Sequence, residues 1–116
     1  MTTDPVITQV GTHVLIDVRG ANRLDEPAYL ETVLRQSAEA AGATILQAHF
    51  HHFGPAMGVT GVLMLAESHI SIHTWPETGF AAIDIFMCGA ARIDAAISVI
   101  EEAFAGCRIE TRRMAR

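Results

Sequence analysis

No apolar run in this 116-residue chain approaches the ~20 residues that a membrane-spanning helix needs, because Gly, His or Asp breaks the longest candidates. Cysteine is almost as scarce. Cys88 and Cys107 could pair in principle, but without a charged-then-apolar leader they are expected to be free thiols of a reducing compartment, with the cytoplasm as default. Basic residues are few and, apart from Arg112 and Arg113 near the tail, scattered. With a net charge of -5 and a pI near 5.6, that scarcity argues against a nucleic-acid or anionic-membrane partner and tolerates a small cationic ligand better. There is no Gly-rich phosphate loop, no clear internal repeat and no low-complexity segment.

What is present is core-forming sequence. Half the residues are hydrophobic, which excludes disorder. A chain of this size removes roughly 65% of its unfolded surface from water and is expected to form one domain over residues 1–116. Met1 to Gly11 is polar and expected to fray, and Thr12 to Val18 is a short strand. Asp25 is placed to cap a helix beginning near Glu26 and Pro27, in which Leu30, Val33, Leu34, Ser37, Ala38 and Ala41 keep a helical rhythm until Gly42. Thr44 to Phe53 and Val59 to Ala66 form a hairpin around GPAMG, with Gly54, Pro55 and Gly58 supplying the turn dihedrals. His69 to Trp75, stopped by Pro76, and Phe80 to Cys88, interrupted only by Asp84, suggest a second hairpin. A helix through Ile93, Ala96, Ile97, Ile100 and Phe104 ends at Gly106, and Cys107 to Arg112 alternates as an edge strand. Runs of strands beside isolated helices predict an α+β two-layer sandwich, a mainly antiparallel sheet covered by two helices on one face.

The densest chemistry lies in ESHISIHTWPETGFAAIDIFMCG, from Glu67 to Gly89, where a serine behind a carboxylate, two histidines, the only tryptophan and a cysteine are spaced so that several could converge on one pocket. Alone, Ser68 reads most simply as a turn residue. The sharper reading is that its hydroxyl attacks the carbonyl of Glu67, converting the amide to an ester. A base then takes the serine α-proton, the ester is eliminated, and the dehydroalanine left behind hydrolyses to a pyruvoyl group heading a new chain. Such chemistry needs a strained tight turn and a nearby proton acceptor.

The run ESHISIHTWPE followed by GFAAIDIFMCG closely resembles the processing and catalytic segment of the prokaryotic S-adenosylmethionine decarboxylases, which are self-processing and pyruvoyl-dependent. The resemblance extends to GATILQAHFHHF, GVTGV and GTHVLIDVRG, and so to nearly the whole chain. It implies Ser68 as pyruvoyl precursor and Schiff-base former, and self-cleavage after Glu67 into fragments 1–67 and 68–116. It implies His73 as the base of maturation and Cys88 as the proton donor in decarboxylation, roles that suit an imidazole and a thiol near neutral pH. It also implies Phe53 and Trp75 as an adenine-stacking pair, Glu77 as the ribose-binding carboxylate, and Thr60 in place of a serine that assists maturation. The cofactor is then the pyruvoyl group itself, with no pyridoxal phosphate and no metal. The implied partners are a small-molecule substrate and a second copy of the chain, as a dimer of cleaved protomers that feeds spermidine synthesis.

Three departures lie near the expected pocket: the methyl of Thr60, a longer turn at GPAMGV, and VRGA at the end of the first strand. They leave decarboxylation of arginine or ornithine by the same chemistry as the nearest rival. Another class of function is a non-catalytic metal-binding module built from His49, His51, His69, His73 and Glu77. A processing-dead homologue would lack Ser68, His73 or Cys88, and all three are present. A perfect strand would turn Ser68 and His73 to opposite faces, and the sequence offers no resolution.

Overall fold

The computed structural model describes residues 9–116, so the expectation of fraying falls, up to residue 8, outside the described residues. The elements run β1 (Gly11–Arg19), α1 (Pro27–Ala40), β2 (Ile45–His52), β3 (Val59–Leu65), β4 (Ser68–Trp75), β5 (Phe80–Cys88), α2 (Ile93–Ala103) and β6 (Arg108–Ala115). Gly11 therefore opens a strand, and its N–H donates to the Arg116 carbonyl at 3.2 Å. The six strands form one sheet in the order β2-β3-β4-β5-β1-β6, with every neighbouring pair antiparallel. The predicted α+β two-layer sandwich is the observed architecture.

Alternation decides which face is covered. Val14, Ile16 and Val18 of β1, Ile70 and Ile72 of β4, and Ile83, Ile85 and Met87 of β5 point one way and are buried. They form one core with Leu30, Val33, Leu34 and Ala38 of α1 and with Ala96 and Ile100 of α2. The residues between them, including Leu15, Asp17, His69, Ser71, His73, Ala82 and Asp84, point to the other face, which no helix among the described residues covers.

Local chemistry corrects two details. Glu26, not Asp25, is the N-cap residue of α1 and makes no side-chain cap bond, while Pro27 starts the helix with φ already set. The GPAMG turn takes its positive φ from Gly54 and Ala56, not from Gly58. Gly58 serves close approach instead, since a Cβ there would lie 2.0 Å from the Thr74 carbonyl oxygen. Thr74 is the one buried polar residue of β4: its hydroxyl donates to the Leu24 carbonyl at 2.6 Å and accepts from Val59 N–H at 2.9 Å. This pair of bonds ties the start of β3 and the loop before α1 to the middle of the sheet.

Gly58→Ala should accordingly force the β3 and β4 backbones apart and cost about 1–3 kcal/mol. Urea unfolding of the variant beside wild type checks this, and coincident midpoints would count against so close an approach.

Candidate active site

The turn that delivers Ser68 is strained. Leu65 pairs with Ser68 across β3 and β4, leaving Ala66 and Glu67 as a two-residue connection. Glu67 closes it with φ of 58°, the left-handed region that a residue with a Cβ enters at a cost. The peptide between Glu67 and Ser68 thus sits at the only sharp bend between these strands. It faces the end of β5, where the Cys88 thiol donates to the Glu67 carbonyl oxygen at 2.8 Å and the Cys88 N–H donates to Ser68 Oγ at 3.4 Å. Ser68 Oγ and Cys88 Sγ are 4.0 Å apart. Serine, thiol and the carbonyl to be attacked are in one cluster.

His73 is elsewhere. It pairs with Thr60 across β3 and β4, and its Nδ1 is 3.1 Å from Thr60 Oγ1. Trp75 lies 6.3 Å away, ring to ring, and stacks on Phe80 at 5.3 Å, with the Arg19 guanidinium 4.6 Å over the far side of Phe80. Phe53, Thr60, His73, Trp75 and Glu77 share an open cavity of about 270 Å3. Phe53 is 58% exposed and packs edge-on against His51, so the aromatic pair lines the opening without closing it. Five residues of extended chain separate Ser68 from His73, roughly 16 Å at ~3.3 Å per residue. The residues singled out from sequence therefore fall into two clusters at opposite ends of β4, and one chain does not bring them together.

Between the clusters lies a group that sequence reasoning missed. Asp84, on the open face of β5, accepts from His13 Nε2 at 2.7 Å and His69 Nε2 at 2.9 Å on one oxygen, and from the Ser71 hydroxyl on the other. The donors come from β1 and β4, the two strands flanking β5. Burial pulls the Asp84 carboxyl upward, but the hydrogen bonds from Ser71, His13 and His69, with the charge of His69, outweigh it and hold the group below its ordinary value. The available signal was Asp84 itself, the one acid inside an otherwise apolar strand. Among the described residues, His13, His69 and Asp84 are also the one group of three spaced to hold an ion. The histidines of the metal-module reading do not gather, because β3 separates His49 and His51 on β2 from His69 and His73 on β4.

Fold and site together define a two-layer α+β sandwich with His69, Ser71, His73 and Asp84 along the uncovered face of its sheet and the Ser68–Cys88 cluster at one end of β4. The family model described as S-adenosylmethionine decarboxylase matches residues 12–116. An S-adenosylmethionine decarboxylase proenzyme of Synechococcus sp. (strain WH7803) is 51% identical over 82 residues, 69% of this chain and 63% of that protein. The proenzyme of Thermomicrobium roseum is 38% identical over 108 residues, 92% of this chain and 93% of that protein. The crystal structure of the adenosylmethionine decarboxylase from Aquifex aeolicus VF5 superposes with a TM-score of 0.84 at 33% identity, covering 94% of this chain and 92% of that one. The chain belongs to the S-adenosylmethionine decarboxylase family.

The sign of the Asp84 shift sets a pH dependence. A carboxyl whose folded value is depressed contributes stability that is present above its unfolded value, near ~3.9, and is lost as pH falls through the folded value. The stability gap between wild type and Asp84→Asn in urea should hold from pH 7 to 5 and shrink below ~3.9. A gap that widened on acidification would contradict it.

Proposed function

We propose that this protein is a pyruvoyl-dependent decarboxylase of S-adenosylmethionine that makes its own cofactor by cutting the bond after Glu67, and that it works as a homodimer. One observation carries the reading: the strained Glu67–Ser68 peptide, with its carbonyl held by the Cys88 thiol at 2.8 Å. A donor on that oxygen stabilises the negative charge that develops when Ser68 Oγ attacks the carbonyl carbon. The amide C–N bond breaks as the ester C–O bond forms, and release of the left-handed turn favours the product. Removal of the Ser68 α-proton then expels the Glu67 carboxylate, and hydration of the resulting enamine releases ammonia. One domain is thereby divided into chains 1–67 and 68–116. The pyruvoyl group supplies a ketone that takes up the substrate amine and the electrons released with CO2. Cys88, already at the Ser68 end of the sheet, is the proton donor to the α-carbon. The sequence contains no lysine, the residue that pyridoxal phosphate enzymes use to hold their cofactor.

We take His73 as the base of maturation, supplied to each site by the other protomer. Leu15, Val62, Met64 and Met114 leave the open face apolar and 39–60% exposed, which favours covering it with a second copy. A two-fold axis between two such faces, crossing β4 near its middle, lays the Ser68 end of one strand over the His73 end of its partner. Each site then takes Ser68 and Cys88 from one copy, and Phe53, Thr60, His73, Trp75 and Glu77 from the other. Ser68 keeps the strand parity of Ile70 and Ile72, so what the partner's His73 approaches across the open face is the backbone of residue 68, where the α-proton and the later ketone sit, and not its side chain. Trp75 and Phe53 suit a purine carried on a sulfonium, and Glu77 suits ribose hydroxyls, a fit that arginine or ornithine would not exploit. Among the described residues no helix is long and apolar enough to cross a membrane. The free thiols of Cys88 and Cys107 suit a reducing compartment, and the cytoplasm is where we take the enzyme to feed spermidine synthesis.

Denaturing mass analysis of aged protein should give two pieces, the second lacking a free α-amine, with release of CO2 from S-adenosylmethionine but not from arginine or ornithine. Ser68→Ala should stay whole and inactive, whereas Cys88→Ala should cleave slowly and not turn over. A chain that stays whole under these conditions overturns the reading. Mixing uncut Ser68→Ala with uncut His73→Ala should restore cleavage in the His73→Ala chain alone. Failure of mixed dimers to cleave, with exchange of subunits verified, would place both groups in one protomer.

A further inference from the structure

Self-cleavage creates a mechanical problem that the fold must solve. In the uncut chain the start of β4 is tied to β3 by the turn at Ala66 and Glu67. Once that turn is cut, residue 68 becomes a chain end, and Ile70, two residues further on, is the first side chain of that strand anchored in the core. Chain ends fray unless something ties them. Here the end carries the electrophile, which must stay registered with Cys88.

We propose that Asp84 is a positioning residue for the reactive end of the cleaved chain, holding the first residues of β4 against β5 through His69 and Ser71. The inference rests on the self-cleavage reading given above. His69 directly follows residue 68, the new chain end, and Ser71 pairs with Asp84 in the β4–β5 register, so the two tethers bracket Ile70. His13 braces the same carboxylate from β1 on the opposite side. Phe86, between the two histidines, contacts both rings at centroid distances of 5.8 and 6.1 Å, limiting their swing. An ionised acceptor with three donors makes stronger bonds than neutral pairs, which is what a tether at a free end requires.

The same three ligand atoms could in principle hold an ion, but the surroundings oppose it. The Arg116 guanidinium donates to His13 Nδ1 at 3.1 Å, which fixes the ring proton on Nε2, the nitrogen an ion at this triad would need bare. The guanidinium also adds a positive charge beside the position of a cation. Hydrogen bonds to Asp84 satisfy the group without one.

The test is Asp84→Asn in the full chain, with Ser71→Ala as a milder variant. Both should mature to two pieces. The processed Asp84→Asn enzyme should then show kcat lower by on the order of 10- to 100-fold with KM changed by less than about 2-fold, as expected when reacting groups are misplaced by about an ångström. Ser71→Ala should show a smaller loss in the same direction. Hydrogen exchange separates positioning from general weakening: amides of residues 69–72 should exchange faster in cleaved Asp84→Asn than in cleaved wild type. In the uncut Ser68→Ala background, where the turn still holds β4, adding Asp84→Asn should change them little. Wild-type kcat in the processed variant, or equal loosening in cut and uncut chains, overturns the proposal. So does one equivalent of added zinc bound by wild type and lost with Asp84. If wild type itself never cleaves, the self-cleavage reading fails before this comparison begins.

Discussion

The sheet has one covered face and one open face, and every functional feature follows from that asymmetry. Period-two alternation sends Val14, Ile16, Ile70, Ile72, Ile83 and Ile85 under the two helices and leaves their neighbours facing outward. Because the side chains alternate strictly, a slip of one residue in any central strand would bury Asp84 or His73 and expose the core. The packing that stabilises the fold is therefore also what orders the reactive groups on the other side. His13, His69, Ser71, His73 and Asp84 stand where they do because the intervening residues are held by the core.

A second constraint acts within that frame. In the two-residue link between β3 and β4, Glu67 takes a left-handed conformation, and Cys88 caps its carbonyl. Strain of this kind persists only where the surroundings over-determine it. Here they do: Leu65 at 2% exposure and Ile70 at 0% pin the two arms of the hairpin on either side. The energy stored in the bend is thus maintained by hydrophobic burial two or three residues away.

The sequence disclosed whatever depends on neighbours along the chain. Phe80–Cys88 is the strand that its near-continuous apolar run and flanking Pro76 and Gly89 delimit, and both helices fall within a residue or two of their expected ends. The two expected hairpins, β2 with β3 and β4 with β5, are present, but the pairing of β1 was beyond reach, because it joins β5 and β6 across most of the chain's length and nothing local encodes that partnership. Strand β6 was expected to stop at Arg112 but continues to Ala115, since Thr12 of β1 offers a partner even where the alternation has faded. The candidate site was legible by residue type and not by arrangement. The motif singled out Ser68, His73 and Cys88 as candidates, and the structure sets Ser68 and Cys88 at one end of β4 and His73 near the other. Asp84 looked like a blemish in a strand because one of its partners, His13, is 71 positions away.

The two borders of the sheet differ sharply from its open face. Strand β6 carries Arg108, Arg112 and Arg113 along its exposed margin, and β2 presents His49 and His51 on the opposite one. The three arginines are each paired with a carboxylate, Glu110, Asp17 and Asp94, and such charged side chains and polar rings on an edge discourage another chain from extending the ladder sideways. Any self-association is thereby turned from the margins toward stacking of open faces, a geometry that saturates once two surfaces have met instead of growing into a fibre.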